Sequence, residues 1–229
     1  MSRAVVHYIY DPLCGWCYGA APLIDVLHQM PEIQICLHAG GLWTADNRPV
    51  MGEALRDYVR PHDERITELT SQPFGAAYFN HLLLDSNHRL DSEPPIRAIL
   101  AVQQLQGDGV QMLSRIQQTH YRDGVWVGDP ARLALLAAEQ GIVSRDFEQA
   151  YQQVAWQEHV TESRAWLARL QGQGFPTVGI EIANQLIVLP ISRYFGNPQG
   201  WQYEVCRLIE LPSGRRRHQS NDINLAPSM

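Results

Sequence analysis

The tetrapeptide Cys14-Gly15-Trp16-Cys17 stands where two hydrophobic patterns meet: Ala4 to Tyr10 reads as a buried strand and Tyr18 to Met30 as a helix. This placement constrains the fold more than any other feature of the 229 residues. Cysteines three apart at a helix start lie on one helix face, within reach of a disulfide bond. Unpaired backbone N–H groups and the positive end of the helix dipole favour a thiolate there, the form that attacks disulfides. Cys14 is therefore expected to be the nucleophile, and Cys17, one turn inside the helix, the resolving thiol. Glu32 to Gly40 reads as a second strand parallel to the first, which makes the front of the chain a βαβ unit.

Three plainer readings compete with a redox centre. A structural zinc site needs four ligands, and the sequence holds no second C-x-x-C and no H-x-x-x-H, so no metal is expected. Two inert core cysteines sit badly in a Pro12-Leu13-Cys14-Gly15 turn, whose backbone needs exposure. Chance occurrence of the motif is weakened only by an independent feature, and one lies near the other end of the chain. There Gly174-Phe175-Pro176-Thr177 leads into an apolar run from Val178 to Ala183, an Asn184-Gln185 break, and Leu186 to Leu189. This stretch reads as a β-hairpin entered through a proline.

From about Pro49 to Gly172 strand patterning gives way to helical periodicity. The segments fall near Gly52 to Val59, Ile66 to Leu84, Pro95 to Gln106, Gly109 to Arg122, Pro130 to Gln140, Asp146 to Ala155 and Glu158 to Leu170. Asp129 before Pro130 pairs an N-cap acceptor with proline at the first helical position, and Gly141 can close that helix. Asn197-Pro198 precedes a last helix near Gln199 to Glu210. Cys36, in mid-strand, and Cys206, on the apolar side of the last helix, are read as small core residues. The nine histidines show no metal-ligand spacing.

The stretch Tyr10-Asp11-Pro12-Leu13-Cys14-Gly15-Trp16-Cys17-Tyr18-Gly19 resembles the active-site segment of the DsbA family of thiol-disulfide oxidoreductases, in the branch that holds FrnE-like proteins and 2-hydroxychromene-2-carboxylate isomerases. Gly124-Val125-Trp126-Val127-Gly128-Asp129-Pro130 is similar to that branch's insert signature, and the resemblance runs from Val5 to about Leu211. It implies an α/β, thioredoxin-like fold with a large all-helical insert. Residues 1–48 would form the first part of the thioredoxin-like domain, 49–172 the insert, 173–211 the second part, and 212–229 a polar tail. It also implies a cis peptide bond before Pro176, facing the cysteines. Substrate backbone would pair with the main chain of Phe175, and Trp16 and the insert would line the groove.

The activity implied is thiol-disulfide exchange, as an oxidoreductase or isomerase acting on protein or peptide thiols and disulfides. Glutathione is a candidate co-substrate, and no cofactor is expected beyond the redox-active disulfide Cys14–Cys17. Relatives with this insert include glutathione-dependent small-molecule isomerases and kappa-type transferases, which use a serine where Cys14 stands, and these supply the alternative function. One departure affects the mechanism. Many thioredoxin-fold enzymes carry a buried carboxylate six residues before the first cysteine, and here Tyr8 holds that place. Asp11 is the nearest carboxylate, a candidate proton relay whose plainer task before Pro12 is shaping the turn.

Net charge is −6, and all eighteen basic residues are arginines, scattered except for Arg215-Arg216-Arg217. That pattern argues against a nucleic-acid partner, and the triplet sits in a polar tail that reads as a solvated terminus or a docking arm. No apolar run approaches the roughly 20 residues needed to span a bilayer, so no membrane partner is expected. Met1-Ser2-Arg3 leads into the first strand without the apolar region of a signal peptide. The expectation is a cytoplasmic monomer or homodimer, in surroundings that favour a catalytic C-x-x-C over a structural disulfide.

Overall fold

The computed structural model describes residues 4–210, so the polar tail and its arginine triplet lie outside the described residues. Four strands, β1 (Ala4–Tyr10), β2 (Ile33–Ala39), β3 (Thr177–Ile182) and β4 (Gln185–Leu189), form one sheet in the order β2-β1-β3-β4. β2 runs parallel to β1, β3 antiparallel to β1, and β4 antiparallel to β3. β1 is a nearly continuous apolar run because both its faces are covered. Successive side chains on it point opposite ways. His7 stacks on Trp166 with ring centroids 3.8 Å apart. Tyr8 turns to the other face, where its hydroxyl donates to the Cys17 carbonyl at 3.3 Å.

Cys17 belongs to α1 (Gly15–His28), which crosses from β1 to β2 and packs against α9 (Pro198–Glu210); α8 (Trp156–Arg169) packs on β2 and β1. β1-α1-β2 and β3-β4-α9 make a thioredoxin-like frame. Between them the chain is helical: α2 (Glu53–Thr70), α3 (Ala76–Asn80), a 3-10 turn Leu82–Leu84, α4 (Glu93–Gln104), α5 (Gly109–Gln117), a π-helical turn Gln118–Arg122, α6 (Pro130–Ala138), α7 (Ser144–Gln153) and α8. One isolated β-bridge, Val50 to Arg89, interrupts that pattern. The insert packs around α4, whose Ile96, Ile99 and Val102 are buried and which touches α5, α6, α7 and α8. Asp129 caps α6 by accepting from Ala131 N at 2.9 Å, with Pro130 as the first helical residue. No helix among the described residues is long and apolar enough to cross a membrane.

Three expectations need correction. α2 runs unbroken through Pro61 where the sequence pattern suggests a break after Val59; it stops instead at Ser71, which adopts the left-handed conformation (φ 60°) just before Pro73. Loss of the hydrogen bond from residue 61 is tolerated because α2 is held on α1 by tertiary packing. The hairpin turn is Ala183-Asn184, one residue earlier than read, since these two residues carry the positive φ angles (49° and 63°) that a twisted two-residue connection demands. Finally, Cys36 and Cys206 are half-buried, not fully inside: β2 is an edge strand of the sheet, and α9 buries Trp201, Val205 and Leu208 while Cys206 packs against the core only in part.

Candidate active site

β1 delivers the chain to a tight turn that a single carboxylate organises. Asp11 is fully buried; its Oδ1 accepts from Leu13 N and from Ser92 Oγ, each at 2.9 Å, and its Oδ2 accepts from Leu42 N at 2.7 Å. Burial pushes the Asp11 carboxyl up to about 6 even though these three donors favour its charged form. The turn sets Cys14 as the N-cap of α1, in extended conformation, with its carbonyl accepting from Cys17 N and Tyr18 N. Its sulfur therefore lies at the helix N-terminus.

The two thiols have unequal surroundings. Cys14 retains 7% of its surface and Cys17 none. Burial, and next the Cys14 sulfur beside it, push the Cys17 thiol well above its ordinary value. Cys14 Sγ donates to the carbonyl oxygen of Phe175 at 3.6 Å. The peptide bond from Phe175 to Pro176 is cis, and the following residue, Thr177, pairs with Ile9 at the end of β1, which brings Pro176 to the cysteine turn. Phe175 is fixed from behind by Gly40. A Cβ on Gly40 would stand 2.1 Å from the ring's Cζ, so only glycine leaves room for it. Arg164 of α8 holds that loop from the insert, donating through Nε to Gly40 O at 2.9 Å and through Nη2 to Gly41 O at 3.0 Å.

Trp16 stands half-buried between two clefts, stacked on Phe195 at 5.6 Å. One cleft, about 640 Å³, is bounded by Trp16, Phe175, Pro176, Val188 and Phe195. The other, about 260 Å³ and mostly apolar, has Cys14 and Trp16 on one side and α2, α3 and the π-helical turn on the other. Every residue singled out in the sequence, Cys14, Cys17, Trp16, Phe175, Pro176 and Asp11, thus meets at one end of α1. Tyr8, standing where related enzymes have a carboxylate, is a buried phenol pushed well above its ordinary value by burial, and so offers no relay at neutral pH.

Sequence reasoning expected the insert to line the groove but named none of its residues. Asp63, Tyr78 and His120 reach the smaller cleft from α2, α3 and the π-helical turn. A signal for Asp63 was present: Leu55, Val59, Asp63, Ile66 and Thr70 recur at helical spacing, so a carboxylate occupies an apolar stripe.

No family model and no curated protein matches the chain. Solved structures do match. The chain is 39% identical to the cytosolic disulfide reductase DsbM from Pseudomonas aeruginosa, over 91% of this chain and 100% of that one, with a TM-score of 0.83. The structure of that protein with GSH matches at 38% identity, covering 90% and 100%, with a TM-score of 0.81. A 2-hydroxychromene-2-carboxylate isomerase matches at 19% identity, covering 96% and 99%, with a TM-score of 0.53, which is a likeness of fold alone.

Proposed function

Because the chain belongs to the DsbA family of thiol-disulfide oxidoreductases and is itself a disulfide oxidoreductase, we propose that Cys14 and Cys17 are its redox pair and that it serves as a cytoplasmic disulfide reductase or isomerase supplied by glutathione. The observation that carries this reading is the inequality of the thiols: Cys14 at the mouth, on the N-terminus of α1, and Cys17 sealed beneath it. The Cys14 thiolate attacks one sulfur of a substrate disulfide R–S–S–R′. The Cys14–S–R bond forms as the S–S bond breaks, and the electron pair leaves with R′–S⁻. The Cys17 thiol then loses its proton and attacks Cys14 Sγ, closing the Cys14–Cys17 disulfide and releasing R–S⁻. Two electrons have passed from protein to substrate. Two molecules of glutathione return them by the reverse exchange and become glutathione disulfide, so no cofactor beyond the protein's own disulfide is required.

An extended peptide would displace the Cys14 thiol from the Phe175 carbonyl and lay its backbone there, beside Pro176, with a side chain in the 640 Å³ cleft. Trp16 would wall that cleft. Asp11, with donors on both oxygens, is assigned to holding the turn, not to proton relay. The reducing direction is supported by the 39% relative, described as a cytosolic disulfide reductase and solved with GSH. The likeness to the isomerase is one of fold and carries no substrate to this chain. Insulin reduction with glutathione tests the proposal. Turnover is expected from the parent chain and not from Cys14→Ser; glutathione conjugation without insulin turnover in the same preparation would overturn it.

A further inference from the structure

Asp63 is the buried polar group that the exchange above leaves unused. It lies on α2 with 4% of its surface exposed. Its Oδ2 accepts from the Tyr78 hydroxyl at 3.1 Å, and no described residue donates to Oδ1. That free oxygen faces the first turn of α1: a Cβ built on Gly15, the residue after Cys14, would lie 2.7 Å from it. Asp63 and Cys14 line the same 260 Å³ cleft. A carboxyl in an apolar wall with one hydrogen bond favours its neutral form. Burial pushes this one up to about 7.

We propose that Asp63 is the general acid of the exchange, delivering its proton to the departing sulfur of the substrate disulfide within this cleft. The role rests on the assignment of Cys14 as nucleophile. As the Cys14–S–R bond forms and the R–S–S–R′ bond breaks, the electron pair departs on R′–S⁻ and the Asp63 O–H proton passes to that sulfur. The products of the step are the mixed disulfide, R′–SH and the Asp63 carboxylate, which solvent reprotonates.

The groups around Asp63 are few. On its own helix, Glu64 opposes the charged form and His62 borders the cleft; from α3, the Tyr78 hydroxyl favours it. From the π-helical turn come His120, which burial holds down to about 3 and hence neutral, and Tyr121, which burial keeps protonated. From α1 comes Cys14 itself.

The test uses the full chain carrying Cys17→Ala, which stops the reaction at the mixed disulfide, and follows its formation against pH with two probes. Hydroxyethyl disulfide expels an alkyl thiolate that gains from protonation. 5,5′-Dithiobis(2-nitrobenzoate) expels an aromatic thiolate that departs without a proton. Adding Asp63→Asn should slow the alkyl probe by about tenfold or more near pH 6 and leave the aromatic probe undiminished. Tyr78→Phe, which removes the bond favouring the carboxylate, should carry the alkyl-probe rate to higher pH. Equal slowing with both probes, or no slowing with either, would overturn the proposal. Failure of the Asp63-containing protein with both probes would overturn the Cys14 assignment beneath it as well.

Discussion

Cys14 Sγ and the carbonyl oxygen of Phe175 lie 3.6 Å apart although 161 residues separate them along the chain. The contact joins the first helix to the segment that enters the C-terminal hairpin, at the thiol of the pair that keeps some exposed surface.

On the reduced protein at mildly acidic pH, iodoacetamide should label Cys14 first and Cys17 last. Cys14 keeps part of its surface at the mouth of the site, whereas burial and the neighbouring Cys14 sulfur push the Cys17 thiol well above its ordinary value. Mass mapping of labelled peptides reads the order, and preferential labelling of Cys17 would reverse the roles. Cys17→Ala should accumulate mixed disulfides with a model disulfide, because the resolving step is gone.

Gly40→Ala should impair exchange while leaving the chain folded. The new methyl would stand 2.1 Å from Cζ of the Phe175 ring, so the ring must swing aside next to the carbonyl that faces Cys14. Overpacking of this kind costs about 1–3 kcal/mol, measurable by urea unfolding. Gly52→Ala is the control, since nothing lies within 4 Å of its added Cβ. Equal kinetics for the two variants would mean that the Phe175 position does not govern the reaction.

The contribution of Asp11 and Asp63 to stability should fall as pH rises from about 4 to about 7, against the opposite contribution of His38 and His120, which burial holds down to about 4 and about 3. Asp11 and Asp63 are raised from 3.8 to about 6 and about 7, so over that window the folded chain keeps protons that the unfolded chain has released. Above it both states are ionised and the loss is complete. Asp63→Asn cannot titrate, so its stability relative to the parent should grow across the window, by roughly 2–4 kcal/mol. Denaturation curves at several pH values give the difference directly, and a difference independent of pH would show that Asp63 ionises as an ordinary surface carboxylate does.

Replacing Cys36 and Cys206 together by serine should leave exchange kinetics nearly unchanged and cost on the order of 1 kcal/mol. Both are half-buried, one on an edge strand and the other on the last helix, and neither lines the two clefts beside Trp16. Collapse of activity with the fold intact would place one of these sulfurs in the electron path.

The placement of Cys14 and Cys17 at the start of α1, and of Phe175-Pro176 ahead of the hairpin, was legible because each is announced locally, by a strand-to-helix switch and by a proline before a hairpin. The hairpin turn was misplaced by one residue because Asn184 advertises a left-handed conformation and Ala183, which shares it, does not. α2 was cut at Pro61 because local propensity forbids what its packing on α1 sustains. Cys36 looked central because a strand's position in its sheet depends on partners far along the chain. Asp63 was hidden differently. It sits among His62, Glu64 and Arg65, which read as a solvated face, and only the helical register with Leu55, Val59 and Ile66 sets it inward.

β1 has one neighbour that follows it closely and another, β3, that begins only at Thr177. On the ribosome the cysteine pair therefore emerges long before Phe175, Arg164 and the strand that complete its surroundings. Through that interval the chain is a dithiol without a cleft, open to any oxidant in reach. How soon translation arrives at Phe175 sets how long those sulfurs stay indiscriminate.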